Sequence, residues 1–205
     1  MRGKWAQGIE PRHFTWVIKD RVAVCERPGG YGASHRKVRR QEEIIWIRQR
    51  NFDFVMSLCT SNQNLQSYEE MGVPFHHVPF GGTGPLSLTR AMSSIRDHVQ
   101  DGHTIVVHRE QVGDLLLGLV ASYLLWMGLV STGPDAVTIT ERLFERELGQ
   151  KARELVAMVD RCDPPEEVPT GAFLVGAGHD DDEPDGDTAD SEAPEASDGP
   201  SAEDT

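Results

Sequence analysis

The stretch His108-Arg109-Glu110-Gln111-Val112-Gly113-Asp114-Leu115 packs a histidine, a guanidinium, two carboxylates and an amide into eight positions. It follows a continuously apolar run, Ile105 to Val107, and precedes a strongly apolar one, Leu115 to Met127. The first run predicts a central strand, Thr104 to His108, covered on both faces. The second predicts a buried helix, with Glu110 to Asp114 as a tight loop between them. In a strand, loop and helix unit the loop N–H groups and the helix N-terminus converge on one spot, which suits an anion. The side chains at that spot work against this use. Leu115 offers no donor. Asp114, just before the helix, is expected to cap it and accept from the free N–H groups. A carboxylate there repels a dianion by about 4 kcal/mol per charge pair at about 4 Å and an effective dielectric of about 20. Glu110 adds the same sign, and Arg109 pairing with Glu110 or Asp114 offsets part of it. The plainer reading is that these three residues cap and solvate a turn.

The elements that would position this stretch alternate along the chain. His13 to Glu26 reads as one or two short strands. Pro28 to Gly32 reads as a loop, since glycine tolerates positive φ and proline stops a strand. Ser34 is placed to cap a helix whose apolar stripe is Val38, Ile44, Ile45 and Ile47, with Glu42 and Glu43 on the other side. Phe52 to Cys59 predicts a strand, Thr60 to Asn64 a polar loop, and Leu65 to Gly72 a short helix ended by glycine. Val73 to Phe80 predicts a strand, Gly81 to Pro85 a flexible loop, and Ser87 to Gln100 a helix. A further helical region is expected from Thr132 to about Val159. Strands alternating with helices give an α/β fold with a mainly parallel sheet.

This order resembles the dual-specificity and tyrosine phosphatase superfamily. In that family a strand ends in His-Cys, five residues follow, and Arg opens the helix. Here Val106 to Leu115 fits that spacing, and Gly118-Leu119-Val120-Ala121-Ser122-Tyr123-Leu124-Leu125 resembles the family helix in the same register. Trp16 to Pro28 is similar to the opening strands, and Gln41 to Leu58 to the first helix and strand. Tyr68 to Phe80 is similar to the segment leading to the general-acid loop. The resemblance covers about residues 13–160. It implies a three-layer α/β sandwich, a central mainly parallel sheet flanked by helices. It also implies that Arg109 stands at the nucleophile position and Leu115 at the phosphate-gripping arginine. Val112 stands at a loop glycine, where a β-branched residue disfavours left-handed backbone. Gly81-Gly82-Thr83-Gly84 stands where the general-acid aspartate is expected. The resemblance therefore implies a pseudophosphatase with a degenerate phosphate loop, His108 to Leu115, and no catalytic residue.

Outside that loop, Ser34-His35-Arg36-Lys37-Val38-Arg39-Arg40 is the strongest basic cluster. Opening a helix, His35, Arg36, Lys37, Arg39 and Arg40 form a possible anion-binding surface; a solvated helix face is the alternative. His76, His77, His98, His103 and His108 lack metal-ligand spacing, and neighbours on a strand point to opposite faces, so no metal is expected. Cys59 reads as a small buried residue.

The 33 acidic and 20 basic residues are unevenly spread. Every Lys and Arg lies at or before Arg161, and 15 acids lie in residues 163–205, leaving 18 acids against the 20 bases in residues 1–162. The formal net charge of -13 thus belongs to the end of the chain. Residues 163–205 are expected to form a disordered acidic tail. It is read as solubilising, or as a shield for the basic cluster, with Phe173 to Val175 as an apolar island. Residues 1–162 are expected to form the domain. No stretch resembles a signal peptide, and Leu115 to Val130 is too short to span a bilayer comfortably. Three cysteines without paired spacing fit a reducing compartment, so a cytoplasmic protein is expected. The expected function is a binding or regulatory module. The alternatives are a phosphatase-superfamily enzyme with a non-standard site and a phospho-ligand or nucleotide sensor. A protein partner or phosphorylated ligand is expected, with no nucleic acid, membrane or cofactor.

Overall fold

The computed structural model describes residues 8–31 and 37–165. Ser34, His35, Arg36, Phe173 to Val175 and the acidic stretch beyond residue 165 lie outside them. Five strands form one sheet in the order β1-β2-β5-β3-β4. They are β1 (Thr15–Ile18), β2 (Val22–Glu26), β3 (Phe54–Ser57), β4 (Phe75–His77) and β5 (Ile105–Arg109). β1 pairs antiparallel with β2, and the other pairings are parallel. Asp20 turns the β1–β2 hairpin with φ 57, a conformation Asp tolerates better than most residues. β5 lies between β2 and β3, with Cys25 and Ser57 both opposite His108. This is the predicted central strand, and Ile105 to His108 are all buried.

Side-chain alternation along the strands assigns the two faces. Val24, Met56, Ile105 and Val107 pack against α3 (Gly84–Gln100), α4 (Asp114–Trp126) and α6 (Gln150–Met158). Ala23, Cys25, Val55 and Val106 pack against α1 (Lys37–Gln49) and Tyr68 of α2 (Leu65–Glu70). This is the expected three-layer α/β sandwich. A smaller cluster joins α4 and α6 to α5 (Gly133–Leu143) through Leu117, Ala121, Ala136 and Val156. A Cβ on Gly118 would stand 2.7 Å from the Cα of Ala152, so glycine lets α6 lie directly on α4. Each fully buried Leu, Ile or Val contributes roughly 1.5–3 kcal/mol.

Several expectations are refined or corrected. The expected helical region 132–159 forms as two helices. Glu145 adopts φ 49 between them, and Gly149 occupies the N-cap of α6. On α1, Val38 is exposed, while Trp46 and Glu43 are buried. Glu43 is turned inward by partners rather than by polarity, as described below. Strands β3 and β4 are shorter than the apolar runs that predicted them, because Leu58, Cys59, Val78 and Phe80 are buried beyond the strand ends. α3 starts at Gly84, with Pro85 in its first turn, where proline's missing N–H costs nothing.

Candidate functional site

β5 delivers His108 and Arg109 to the C-terminal edge of the sheet, and α4 starts five residues after Arg109. A concavity of about 400 Å³ opens there, lined by Tyr31, Arg109, Glu110, Gln111, Gly113, Asp114 and Leu115. Gly113 is the N-cap of α4 and has no side chain to close the helix end. No residue from 109 to 113 has positive φ, so Val112 sits without backbone strain.

Arg109 is held by two neighbours. Its Nε donates to the Phe80 carbonyl at 3.1 Å, and its Nη1 lies 3.8 Å from Glu110 Oε2. It thereby ties the end of β5 to the chain leaving β4. The pairing with Glu110 fulfils one of the two expected partners. Asp114 is taken elsewhere: its Oδ1 accepts from the Gly149 amide at 3.3 Å and lies 3.7 Å from Arg146 Nη2. Arg146 Nη1 also donates to the Val112 carbonyl at 2.9 Å. The expectation that Asp114 caps α4 and fills the anion spot is therefore corrected. It is the first residue of the helix, and its carboxylate braces the α5–α6 turn.

Leu115 packs onto Gly82, which adopts φ 70. Any Cβ at position 82 would overlap the Leu115 side chain. Leu115, at the start of α4, and the loop at Gly82 are thus fitted to each other.

Behind the loop, His108 is fully buried. Its Nε2 shares a hydrogen bond with the Tyr68 hydroxyl at 2.9 Å, and its Nδ1 lies 3.8 Å from Cys59 Sγ. Burial first, then the Arg27 charge and His77, push its pKa down to about 3, so the imidazole is neutral. Burial, then the Glu110 carboxylate, push the Cys59 thiol up to about 11. Burial above all holds the Cys25 thiol well above its ordinary range. Neither cysteine is a thiolate near neutrality, and thiolate is the nucleophilic form.

Sequence reasoning missed the residues that hold the preceding loop. Buried Arg27 donates to the Gly30 carbonyl from Nη2 at 2.9 Å and Nε at 3.3 Å, and its amide donates to the Arg109 carbonyl at 2.7 Å. Glu43 accepts from the Gly29 amide at 2.6 Å and from Arg39 Nε at 2.7 Å. Asn64 Nδ2 donates to the Pro28 carbonyl at 2.7 Å. The signal for Glu43 was its place beside Ile44 and one turn after Arg39.

Of the described members of the basic cluster, Arg39 pairs with Glu43, while Lys37 and Arg40 line a separate cleft. His35 and Arg36 belong to the stretch outside the described residues. The histidines divide too. His76 Nδ1 meets His98 Nε2 at 3.2 Å, and His77 Nε2 donates to the Cys59 carbonyl at 2.9 Å. Among the described residues no group of three or more His, Cys, Asp or Glu is placed to hold a metal ion. No described helix is long and apolar enough to cross a membrane.

No protein-family model matches this sequence, and no curated protein matches it. Solved structures do. The kinase associated phosphatase with its catalytic-site cysteine replaced by serine is similar at a TM-score of 0.61 and 16% identity, over 74% of this chain and 96% of that one. Tk-PTP in its active form is similar at 0.57 and 18%, over 73% and 97%. Human DUSP28 is similar at 0.53 and 10%, over 75% and 97%. The chain has the fold of the dual-specificity and tyrosine phosphatases.

Proposed function

We propose that this domain is a pseudophosphatase: a phosphatase-like fold with a degenerate phosphate loop, used as a binding or regulatory module rather than for turnover. The observation that carries the reading is the engagement of Arg109. At the position where the resemblance calls for a nucleophile, a guanidinium donates to the Phe80 carbonyl and sits beside Glu110. A cation locked to a carbonyl attacks nothing. Leu115 on Gly82 supports the same reading, since neither a phosphate clamp nor a general acid stands at those positions. The partner of such a module is a protein or a phosphorylated ligand, met in the cytoplasm.

One observation favours a second reading, an enzyme with a non-standard site. Cys59 lies beside His108, the arrangement a thiol nucleophile and its base would take. The pKa directions oppose it, because the thiol is raised and the imidazole lowered, so Cys59 does not pass its proton to His108. Hydrolysis of an aryl phosphate by purified protein, beside Cys59→Ser, separates the two. The pseudophosphatase reading expects both proteins at the buffer rate. Turnover in the wild type that vanishes in Cys59→Ser would establish the second reading instead.

A further inference from the structure

A second concavity, of about 620 Å³, lies between the start of α1 and residues 62–71. It shares no lining residue with the loop at residues 109–115. Lys37 and Arg40 line it from α1, and Asn62, Gln63, Asn64 and Ser67 line it from the other side. Asn64 and Arg40 are held in place. Asn64 is buried, sits in left-handed backbone with φ 73, and is fixed by its bond to the Pro28 carbonyl. Its Oδ1 accepts from Arg40 Nη1 at 3.3 Å. Arg40 Nε is buried with no hydrogen-bond partner. A guanidinium carries five donors in a planar fork that matches phosphate and carboxylate oxygens. An anion in the cleft gains charge-assisted bonds from the part of this fork that lines it.

Two carboxylates also line the cleft, Glu69 and Glu70. Both are exposed, and Glu70 accepts from Gln66 Nε2 at 2.9 Å. Lining the same cleft, within about a Debye length of a bound anion, they are only partly screened, and they limit the site to one compact anion rather than a polyanion. We propose that this cleft binds the phosphate group of a single phosphomonoester, gripped by Arg40, attracted by Lys37 and bounded by Asn62, Gln63 and Ser67. The shared chemistry is the phosphate, whether carried by a small molecule or by a phosphorylated side chain.

The test is an amide and side-chain NMR titration of the full chain with inorganic phosphate, then with O-phosphoserine and a phosphoserine peptide. Saturable shifts at residues 62–67 and the Asn64 side-chain amide are expected. Lys37→Gln and Arg40→Gln should each weaken binding about tenfold, as loss of one charge-assisted contact does. Lys151→Gln, which removes the same charge from α6, should leave binding unchanged. Tighter binding of O-phosphoserine than of the peptide assigns a small-molecule source, and the reverse a phosphorylated protein. Absence of saturable shifts, shifts confined to residues 109–115, or unaltered affinity in the variants would overturn the proposal. Lys37 is exposed, so its variant carries the test where Arg40→Gln does not fold. Turnover of phosphate esters would sink the pseudophosphatase reading and leave this site standing.

Discussion

Arg109 Nε donates to the carbonyl of Phe80 at 3.1 Å, so the end of β5 is bonded to the loop leaving β4. This charge-assisted bond is largely shielded from solvent, with 16% of the Arg109 side chain exposed. Its role here is structural. Arg109→Met is expected to destabilise the domain by about 1.5–3 kcal/mol, the range for a hydrogen bond to a charged group. Urea unfolding measures it. A change below about 0.5 kcal/mol would show that the tether contributes nothing.

Gly82 and Leu115 should be energetically coupled. Gly82→Ala adds a Cβ to left-handed backbone and drives it into Leu115, for an expected cost of about 1–3 kcal/mol. In a Leu115→Ala background the overlap is gone and only the backbone term remains, so the cost should fall by about 1 kcal/mol. Equal costs in the two backgrounds would contradict the fitted contact.

Glu43 should be among the most sensitive charged positions. It is 1% exposed and bonded to both Gly29 and Arg39. Glu43→Ala leaves Arg39 and the Gly29 amide without their acceptor; with the Arg39 side chain 27% exposed and open to water, the expected cost is about 1–3 kcal/mol. Glu43→Gln keeps one acceptor and should lose less. Equilibrium unfolding of the two variants checks the order.

Stability should fall as pH drops below about 6.5. The folded pKa of His108 is depressed to about 3, while the unfolded value is near 6.5. Between those values the unfolded chain binds the proton and the folded chain does not. The contribution of His108 is therefore complete above pH 6.5 and is lost progressively as pH falls toward 3. One such group gives a slope of up to about 1.4 kcal/mol per pH unit. His108→Asn should flatten the profile between pH 6 and 4 by that amount. A parallel profile would mean that His108 titrates normally in the fold. His98, lowered first by burial and then by His76 and His103, acts in the same direction.

The layers were legible in the sequence because strands buried on both faces show as unbroken apolar runs, as Ile105 to Val107 does. The order of elements around the loop followed from the same patterning. Side-chain partners were less legible. Asp114 looks like a helix cap by position, yet its partners, Arg146 and Gly149, lie more than thirty residues on and meet it only once α6 packs against α4. Glu43 reads as a surface residue until its inward partners are seen. The break at Glu145 carries little sequence signal, since Gly149 alone marks it. The cleft at Lys37 and Arg40 was half visible as a basic cluster, but Arg39 belongs to a different contact made on the same helix.

The most direct test of the central claim compares aryl phosphate hydrolysis by the wild-type chain with that of the double variant Arg109→Cys, Leu115→Arg. The wild type is expected at the buffer rate and the double variant above it, since its loop then carries a thiol and a guanidinium at the spacing that the phosphatase resemblance implies. Turnover by the wild type, retained through repeated purification and undiminished in Arg109→Met, would contradict it.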